Sequence, residues 1–490
     1  ALNAFDETVV RYQARQSRRI LDEADQSSRH LLAQSAVELS RQRHIHLVGV
    51  GGAGMSAIAE VLAAMGHTVT GSDLKHSAGI DRLTALGVSV SVGHDAANLG
   101  AADLVARSTA IPDGNTECVA ASRAGLPVVG RAEILAAICA ERDTIAVAGT
   151  HGKTTTSSML ALVLREAGLR PSFIIGGDVN EIGTGAAWDE GRLLVAEADE
   201  SDGSFLVLPR RYGVVTNLEP DHLEHHGGFD ALRSAFRRFV DETDGPVLVG
   251  VDDEEGALLA EATGAVTVGT AAIADWRITE VEESWDGVRF VLNGPDWNPV
   301  DMEIPIPGIH NARNAATAAV AGILAGADRD AAAGALARFG GVARRFEHRG
   351  RAAGVVFVDD YAHLPTEVAA AIRAGRSGDW RRLVAVFQPH RYSRTEDLWP
   401  SFAEAFDGAD LLFVTDVYPS GEAPRPGVSG RLIVDAVQRA RPDQTVRYVP
   451  RREDLVRELA AELEEGDLCL TMGAGDLTSV PDEVRDRLGG

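Results

Sequence analysis

The chain has 490 residues, with 47 Lys and Arg against 72 Asp and Glu, a net charge of −25, 45% hydrophobic residues, and 51 Gly and 19 Pro along its length. That length supports several hydrophobic cores and the composition is globular, which excludes a disordered or collagen-like chain. The acidic balance argues against binding nucleic acid through a general basic surface, while local basic clefts for small anions stay open. Three widely spaced cysteines, Cys118, Cys139 and Cys469, speak for a reducing compartment and against a disulfide framework. The longest mostly apolar stretch, 315–327, is too short to span a bilayer, and residues 1–42 have no apolar signal core. A cytoplasmic protein without a membrane span is expected. Lysine occurs only at Lys75 and Lys153.

Residues 1–42 read as an amphipathic helical extension without a motif. From His44 a strand (HIHLV), a glycine turn, and a helix with Met55, Ile58, Leu62 and Met65 on one face lead into a second strand. This is a βαβ unit. The alternation continues through VSVSV, ADLVARS, LPVV and the helix RAEILAAICAERD, which sets a first domain at 43–142. A second domain, 143–340, opens with TIAVAGT, a helix from Lys153, and the strands SFIIG, RLLVAEA, YGVVTN and VLVGV. Within it, the short alternating segments WRITEV, VRFVL and DMEIPIP predict a small antiparallel addition, followed by an Ala-rich helix from Asn311. A third α/β domain, 341–490, follows the glycine pair Gly340-Gly341, which reads as a hinge. The fold class is α/β in three consecutive domains: Rossmann-like, P-loop ATPase-like and Rossmann-like.

Gly49, Gly51, Gly52, Ala53 and Gly54 follow the first strand in a G-x-G-x-x-G pattern, with Asp73 at the end of the next strand. Such a turn accommodates a diphosphate-containing nucleotide, either a dinucleotide or a UDP moiety. Gly149-Thr150-His151-Gly152-Lys153-Thr154-Thr155, between an apolar strand and a helix, carries a stronger signal. The backbone of such a loop cradles phosphates, the Lys neutralises β/γ oxygens, and the Thr after it can ligate Mg²⁺. With Lys75 and Lys153 as the only lysines, an Asn-Lys-x-Asp guanine reader cannot be built, which favours ATP. Two acidic clusters, 197–202 (EADESD) and 217–222 (NLEPDH), follow strands of the same domain, where Mg²⁺ ligands would stand. In the third domain, Arg391 and Arg394 follow a strand and could grip a carboxylate.

The chain resembles the Mur ligase family. The matches run in order: GVGGAGMSAIAE at 49–60, GTHGKTTT at 149–156, EADESDGSF at 197–205, TNLEPDHLEHH at 216–226, GIHNARNAA at 308–316, RRFE at 344–347, DDYAHLPTE at 359–367, QPHRYSRT at 388–395 and GAGD at 473–476. The resemblance implies an ATP- and Mg²⁺-dependent amide synthetase of peptidoglycan precursor synthesis, hence of cell-wall biogenesis, cell shape and division. The first glycine signature and HRYSRT point to the branch that joins L-alanine to UDP-N-acetylmuramate through an acyl phosphate. By motif position the resemblance implies Thr154, Glu197 and His222 as Mg²⁺ ligands and a catalytic set of Lys153, His222, His363 and Arg391. It implies Gly149, Thr150, His151, Gly152, Lys153, Thr154 and Thr155 around the ATP phosphates. His310, Asn311 and Asn314 would lie by the adenine, Arg345 near phosphate, and Asp359 or Asp360 near the ribose. The UDP moiety would be held by the first glycine turn with Ser72, Asp73, Ser108 and Thr109, and L-alanine by Tyr361, His363, Arg391 and Arg394. Two features depart from the wider family: Leu364 stands where a second His is usual, and residues 223–245 contain no lysine. The latter fits the alanine-adding branch. The alternatives are a murein-peptide recycling ligase, a nicotinamide-dependent oxidoreductase, and a nucleotide-binding switch or scaffold. Oligomeric state is not encoded in any motif.

Overall fold

The computed structural model describes residues 37–201, 203–221, 226–295 and 297–489. Nearly all of the extension at 1–42 therefore lies outside the described residues, as does His222. The first sheet comprises β1 (His44–Val48), β2 (Thr68–Asp73), β3 (Ser89–Val92), β4 (Leu104–Arg107) and β5 (Val128–Gly130), all parallel, in the order β3-β2-β1-β4-β5. Strand order reverses at β1, so the turn after it faces the crevice where doubly wound sheets bind ligands. The helix Ala53–Ala64 that follows buries Met55, Ile58, Val61 and Leu62 on one side.

The second sheet has ten strands: β6 (Asp143–Ala148), β7 (Ser172–Val179), β8 (Thr184–Ala187), β9 (Leu193–Glu197), β10 (Tyr212–Val215), β11 (Val247–Gly250), β12 (Val266–Gly269), β13 (Trp276–Ser284), β14 (Gly287–Asn293) and β15 (Val300–Ile304). Their order is β15-β14-β13-β12-β11-β10-β6-β9-β7-β8. Here the expectation of a small addition at 265–307 is corrected, since β13 pairs parallel with β12 and the three strands extend the main sheet. β6, apolar from Ile145 to Ala148, lies between β9 and β10 and parallel to both, so their carboxyl ends share one edge.

The third sheet contains β16 (Glu347–Ala352), β17 (Val355–Asp360), β18 (Arg382–Phe387), β19 (Leu411–Val414), β20 (Thr445–Tyr448) and β21 (Asp467–Met472), in the order β16-β17-β21-β18-β19-β20. Only β16 runs antiparallel to its neighbour. One face packs on Phe387, Phe402, Phe406 and Ile433, the other on Leu455, Leu459 and Val480. The chain packs as two compact units. One runs to Glu280 and adds Phe290–Met302 and Arg313–Arg338; the other comprises Val281–Arg289, Glu303–Ala312 and the chain from Phe339 on. The three cysteines are buried and unpaired. Among the described residues no helix is long and apolar enough to cross a membrane.

Candidate functional site

The loop after β6 is held from its flank. Asn217 accepts the Thr150 N–H on its carbonyl (3.2 Å) and the His151 N–H on its side chain (2.8 Å), and the Thr216 hydroxyl donates to the His151 carbonyl (2.5 Å). His151 Nε2 lies 3.2 Å from Glu219, so His151 anchors the loop to the strand beside it. Gly149 (φ +133°) and Gly152 (φ +75°) adopt backbone angles that favour glycine, and a Cβ on Gly152 would collide with Asn314. Asn314 therefore supports the loop from below, with the Thr156 hydroxyl 3.4 Å from its Oδ1. The helix Lys153–Glu166 starts at Gly152 with no capping side chain. Its first amides, from Lys153 to Thr155, present the positive helix end that phosphates bind.

Lys153 turns back onto this loop. Its ammonium donates to the carbonyls of Gly149 (2.7 Å) and Thr150 (3.2 Å) and to Glu200 Oε2 (2.6 Å). Burial works to lower its pKa, but Glu200, Asp199 and Glu197 outweigh it and hold the lysine charged. Burial opposes ionisation of Asp199 too, yet Lys153, Ser201 and Arg131 keep its pKa below the ordinary value. The Thr154 hydroxyl donates to Glu197 Oε1 (3.0 Å), while Glu197 Oε2 accepts the Gly176 N–H (2.7 Å). Thr154 and Glu197 thus meet as an all-oxygen pair, which suits Mg²⁺, a cation that takes few protein ligands and keeps several waters. Among the described residues no cluster of three His, Cys, Asp or Glu side chains forms a metal cage.

In the first sheet the glycine turn is bound by its own chain. The N–H groups of Gly49 and Val50 both donate to the Ser72 carbonyl, and that of Gly51 to Asp73 Oδ2 (2.9 Å). Ser108 packs against Gly49 and donates its N–H to Val48, while Thr109 is exposed beyond it. The Ser72 side chain is fully buried and donates to Glu117 Oε2 (2.5 Å), so it props the turn from behind. Glu117 also accepts from Asn98 (2.6 Å) and the Asp95 N–H (3.2 Å), with His46 and His94 within 3.6 and 3.3 Å. Burial alone would raise the Glu117 pKa, but the His46 imidazole beside it and hydrogen bonds from Ser72 and Asn98 bring it down to about 2. Arg131, which no motif singled out, lies across Gly54, and its Nη2 is 4.0 Å from Asp199 Oδ2.

In the second compact unit the predicted residues divide into two kinds. Asp359 is buried and accepts from Thr471 and Thr478 (both 2.7 Å), and Asp360 accepts the N–H groups of Phe346 (2.8 Å) and Ala362 (2.7 Å). Burial raises both pKa values, that of Asp360 to about 6, against the pull of arginines nearby. Asn311 donates to the Pro307 carbonyl (2.7 Å) and His310 packs on Gly308 at the start of the helix Ile309–Leu324. Arg344 and Arg345 both lie against the Tyr361 ring, at 4.7 and 5.1 Å from its centroid. Positive φ at Arg344 (61°) and Phe346 (48°) fixes this hairpin of side chains.

The remaining residues converge. Tyr361 and His363 meet edge to face at 5.5 Å, and His363 lies 5.8 Å from His390. Arg394 donates to His390 Nδ1 (3.0 Å), and His390 stacks on Tyr418. Burial, followed by the charges of His363, Arg394 and Arg391, pushes the His390 pKa down to about 3, so it serves as a neutral acceptor. Arg391 sits at φ +67°, a conformation costing about 1–3 kcal/mol and held by its N–H bond to the Tyr418 carbonyl (2.8 Å). His390, Tyr418 and Arg344 were not assigned from sequence, although His390 lies inside the QPHRYSRT segment. Leu364 is only 5% exposed, so the position of the missing second histidine belongs to the core. The imidazole beside His363 is that of His390.

Comparison with known proteins covers most of the chain. Family profiles described as "Mur ligase family, catalytic domain", "Mur ligase middle domain" and "Mur ligase, glutamate ligase domain" match residues 44–143, 147–322 and 344–475. A UDP-N-acetylmuramate–L-alanine ligase of Renibacterium salmoninarum is 44% identical over 92% of this chain and 97% of its own length. One from Kineococcus radiotolerans is 46% identical, again over 92% and 97%. Among solved structures, the UDP-N-acetylmuramate-alanine ligase MurC of Thermotoga maritima superposes with a TM-score of 0.77 at 29% identity, covering 91% of this chain and 99% of that one. A murein peptide ligase of Psychrobacter arcticus gives 0.68 at 25%, with the same coverage.

Proposed function

The chain belongs to the Mur ligase family, and from that premise we propose that it uses ATP to join L-alanine to the carboxylate of UDP-N-acetylmuramate, in the cytoplasm, for peptidoglycan synthesis. The observation that carries the catalytic part is the shared edge of β6, β9 and β10, where an open helix start, Lys153, Thr154 and Glu197 come together. A carboxylate resists attack by an amine because oxide is a poor leaving group. Phosphorylation by the ATP γ-phosphoryl makes phosphate the leaving group, and the amine of L-alanine then displaces it.

The first-turn amides after Gly152 hold the nucleotide phosphates. Lys153 exchanges its bond to Glu200 for the γ-phosphate and stabilises the charge that builds during transfer. Glu200, pushed up to about 7 by burial and Asp199 against the pull of Lys153, can take a proton and so stay in place when the ammonium leaves it. Thr154 and Glu197, with His222, would hold Mg²⁺, which when bound neutralises the transferring phosphoryl group. The UDP moiety lies at the turn Gly49–Gly54, and Tyr361, His363, Arg391 and Arg394 receive the amino acid, with the guanidiniums on its carboxylate. The domain limits 43–142, 143–340 and 341–490 are the working division for these three roles.

The test is ATP- and Mg²⁺-dependent phosphate release with UDP-N-acetylmuramate, scanning single amino acids and a muramyl-type tripeptide. A strong preference for L-alanine is expected. Preference for the tripeptide would assign the chain to peptide recycling, and release independent of any acceptor would overturn the ligase reading. The nicotinamide alternative is not favoured, since the relatives that match over most of the chain are L-alanine ligases.

A further inference from the structure

The helix Ala53–Ala64, which begins at the first glycine turn, carries a single carboxylate, Glu60, and that group is only 8% exposed. A buried carboxylate persists where its partners satisfy it, and partners drawn from separate elements fix the register of those elements. Glu60 Oε1 pairs with Arg82 Nε (2.7 Å), and Oε2 accepts from the Thr184 hydroxyl (3.0 Å) at the start of β8. Arg82 reaches further, with Nη1 at 3.2 and 3.1 Å from the two oxygens of Asp178 on β7. The helix packs along β7 and β8, the hairpin at the sheet edge. From that hairpin Gly176 donates its N–H to Glu197, and Glu197 takes the Thr154 hydroxyl. Direct contacts therefore run from the glycine turn, along one helix, through Glu60 and β7, to the pair of oxygens at the phosphate loop.

We propose that Glu60 is a positioning residue that couples occupancy of the glycine turn to nucleotide binding at Thr154 and Glu197. The proposal rests on the reading above, in which UDP-N-acetylmuramate lies at that turn and the metal nucleotide at those oxygens. Displacement of the turn by its ligand moves the helix, and Glu60 transmits the displacement to Thr184 and Asp178, hence to the amide that orients Glu197. Sites linked through one element bias each other reciprocally, commonly by fivefold or more in affinity.

The experiment is calorimetric titration of the full chain with UDP-N-acetylmuramate and with the Mg²⁺ complex of a non-hydrolysable ATP analogue, each alone and each in the presence of the other. Wild type is expected to bind each ligand at least about fivefold more tightly when the other is present. In Glu60→Gln and in Thr184→Val, which preserves side-chain shape and leaves the Glu60 to Arg82 pair intact, that factor falls below about twofold while the single-ligand affinities stay within about twofold. A merely structural role would change melting temperature and the single-ligand affinities together, leaving the ratio untouched. Folded variants that keep the wild-type ratio overturn the proposal, as does a wild type whose ligands bind independently. Should Glu60→Gln not fold, Thr184→Val decides alone. Failure of wild type to bind UDP-N-acetylmuramate both alone and with the nucleotide complex present overturns the functional reading and this proposal with it, whereas binding only with the nucleotide present is strong coupling and supports both.

Discussion

The two glycine turns of the first compact unit follow a central strand, bond amides to the segment beside it and open a helix without a capping side chain, yet they differ in the charged groups around them. After β1 the amides of Gly49, Val50 and Gly51 are bonded to Ser72 and Asp73 of the neighbouring strand. After β6 the loop is pinned by Thr216, Asn217 and Glu219, and the helix start has no capping side chain. The first turn thus carries a carboxylate of its own and rests on the buried Glu117 network; the second carries a lysine. A glycine fingerprint therefore describes a backbone shape, while the groups around it decide which anion that shape can receive.

The comparison can be broken most severely at Lys153. Lys153→Ala is expected to lower phosphate release by at least about 10²-fold with the melting temperature retained, because it removes charge stabilisation made during transfer. Turnover close to wild type would reduce the second turn to a structural loop like the first. Next in size is the support of the first turn. Glu117 titrates near 4.5 when unfolded and at about 2 when folded, so its contribution is complete above about pH 4.5 and is lost as pH falls from there through 2. Glu117→Gln should cost on the order of 3 kcal/mol near neutrality and flatten the acid limb of a denaturation series between about pH 4.5 and 2, the window set by the unfolded and folded pKa values. An unchanged acid limb would mean that the network does not hold the turn.

Two glycine substitutions sharpen the contrast. Gly152→Ala, at φ +75° and against Asn314, should raise the KM for ATP by about tenfold with the KM for UDP-N-acetylmuramate unmoved, the cost of strain in a left-handed position. Gly51→Ala places a Cβ 2.9 Å from Asp73 Oδ2 and should raise the KM for UDP-N-acetylmuramate a few fold with that for ATP unmoved. Steady-state kinetics in each substrate would show whether the effects stay separate.

The motifs rich in glycine, acid and arginine were legible because each is contiguous and its chemistry follows from residue type. Thr154 and Glu197, 43 residues apart, meet as their strand ends imply. The supporting residues were not legible. Glu117 lies in an unremarkable helix, NTECVAASR, and gains its role from His46, Ser72 and Asn98, which the fold alone brings to it. Glu60 and Arg131 likewise take their meaning from partners far along the chain, 124 residues away for Glu60 and Thr184. The segment 265–307 was read as a small antiparallel addition, although its strands extend the main sheet, because alternation reveals strands but not the sheet edge they join. For Asp359 and Asp360, adjacent at a strand end, the resemblance implied a place near the ribose, while the threonine hydroxyls and backbone amides that take up their oxygens were not legible.

The near absence of lysine gives the molecule a built-in handle. Lys153 is 15% exposed and tied to Glu200, while Lys75 stands in solvent two residues beyond Asp73. An amine-selective dye would mark side chains at one spot, at the rim of the first glycine turn. All three cysteines are buried, which raises the Cys118 thiol and pushes those of Cys139 and Cys469 up to about 12, so a cysteine introduced elsewhere would accept a second dye with little background. The pair would report distances within an otherwise unaltered protein.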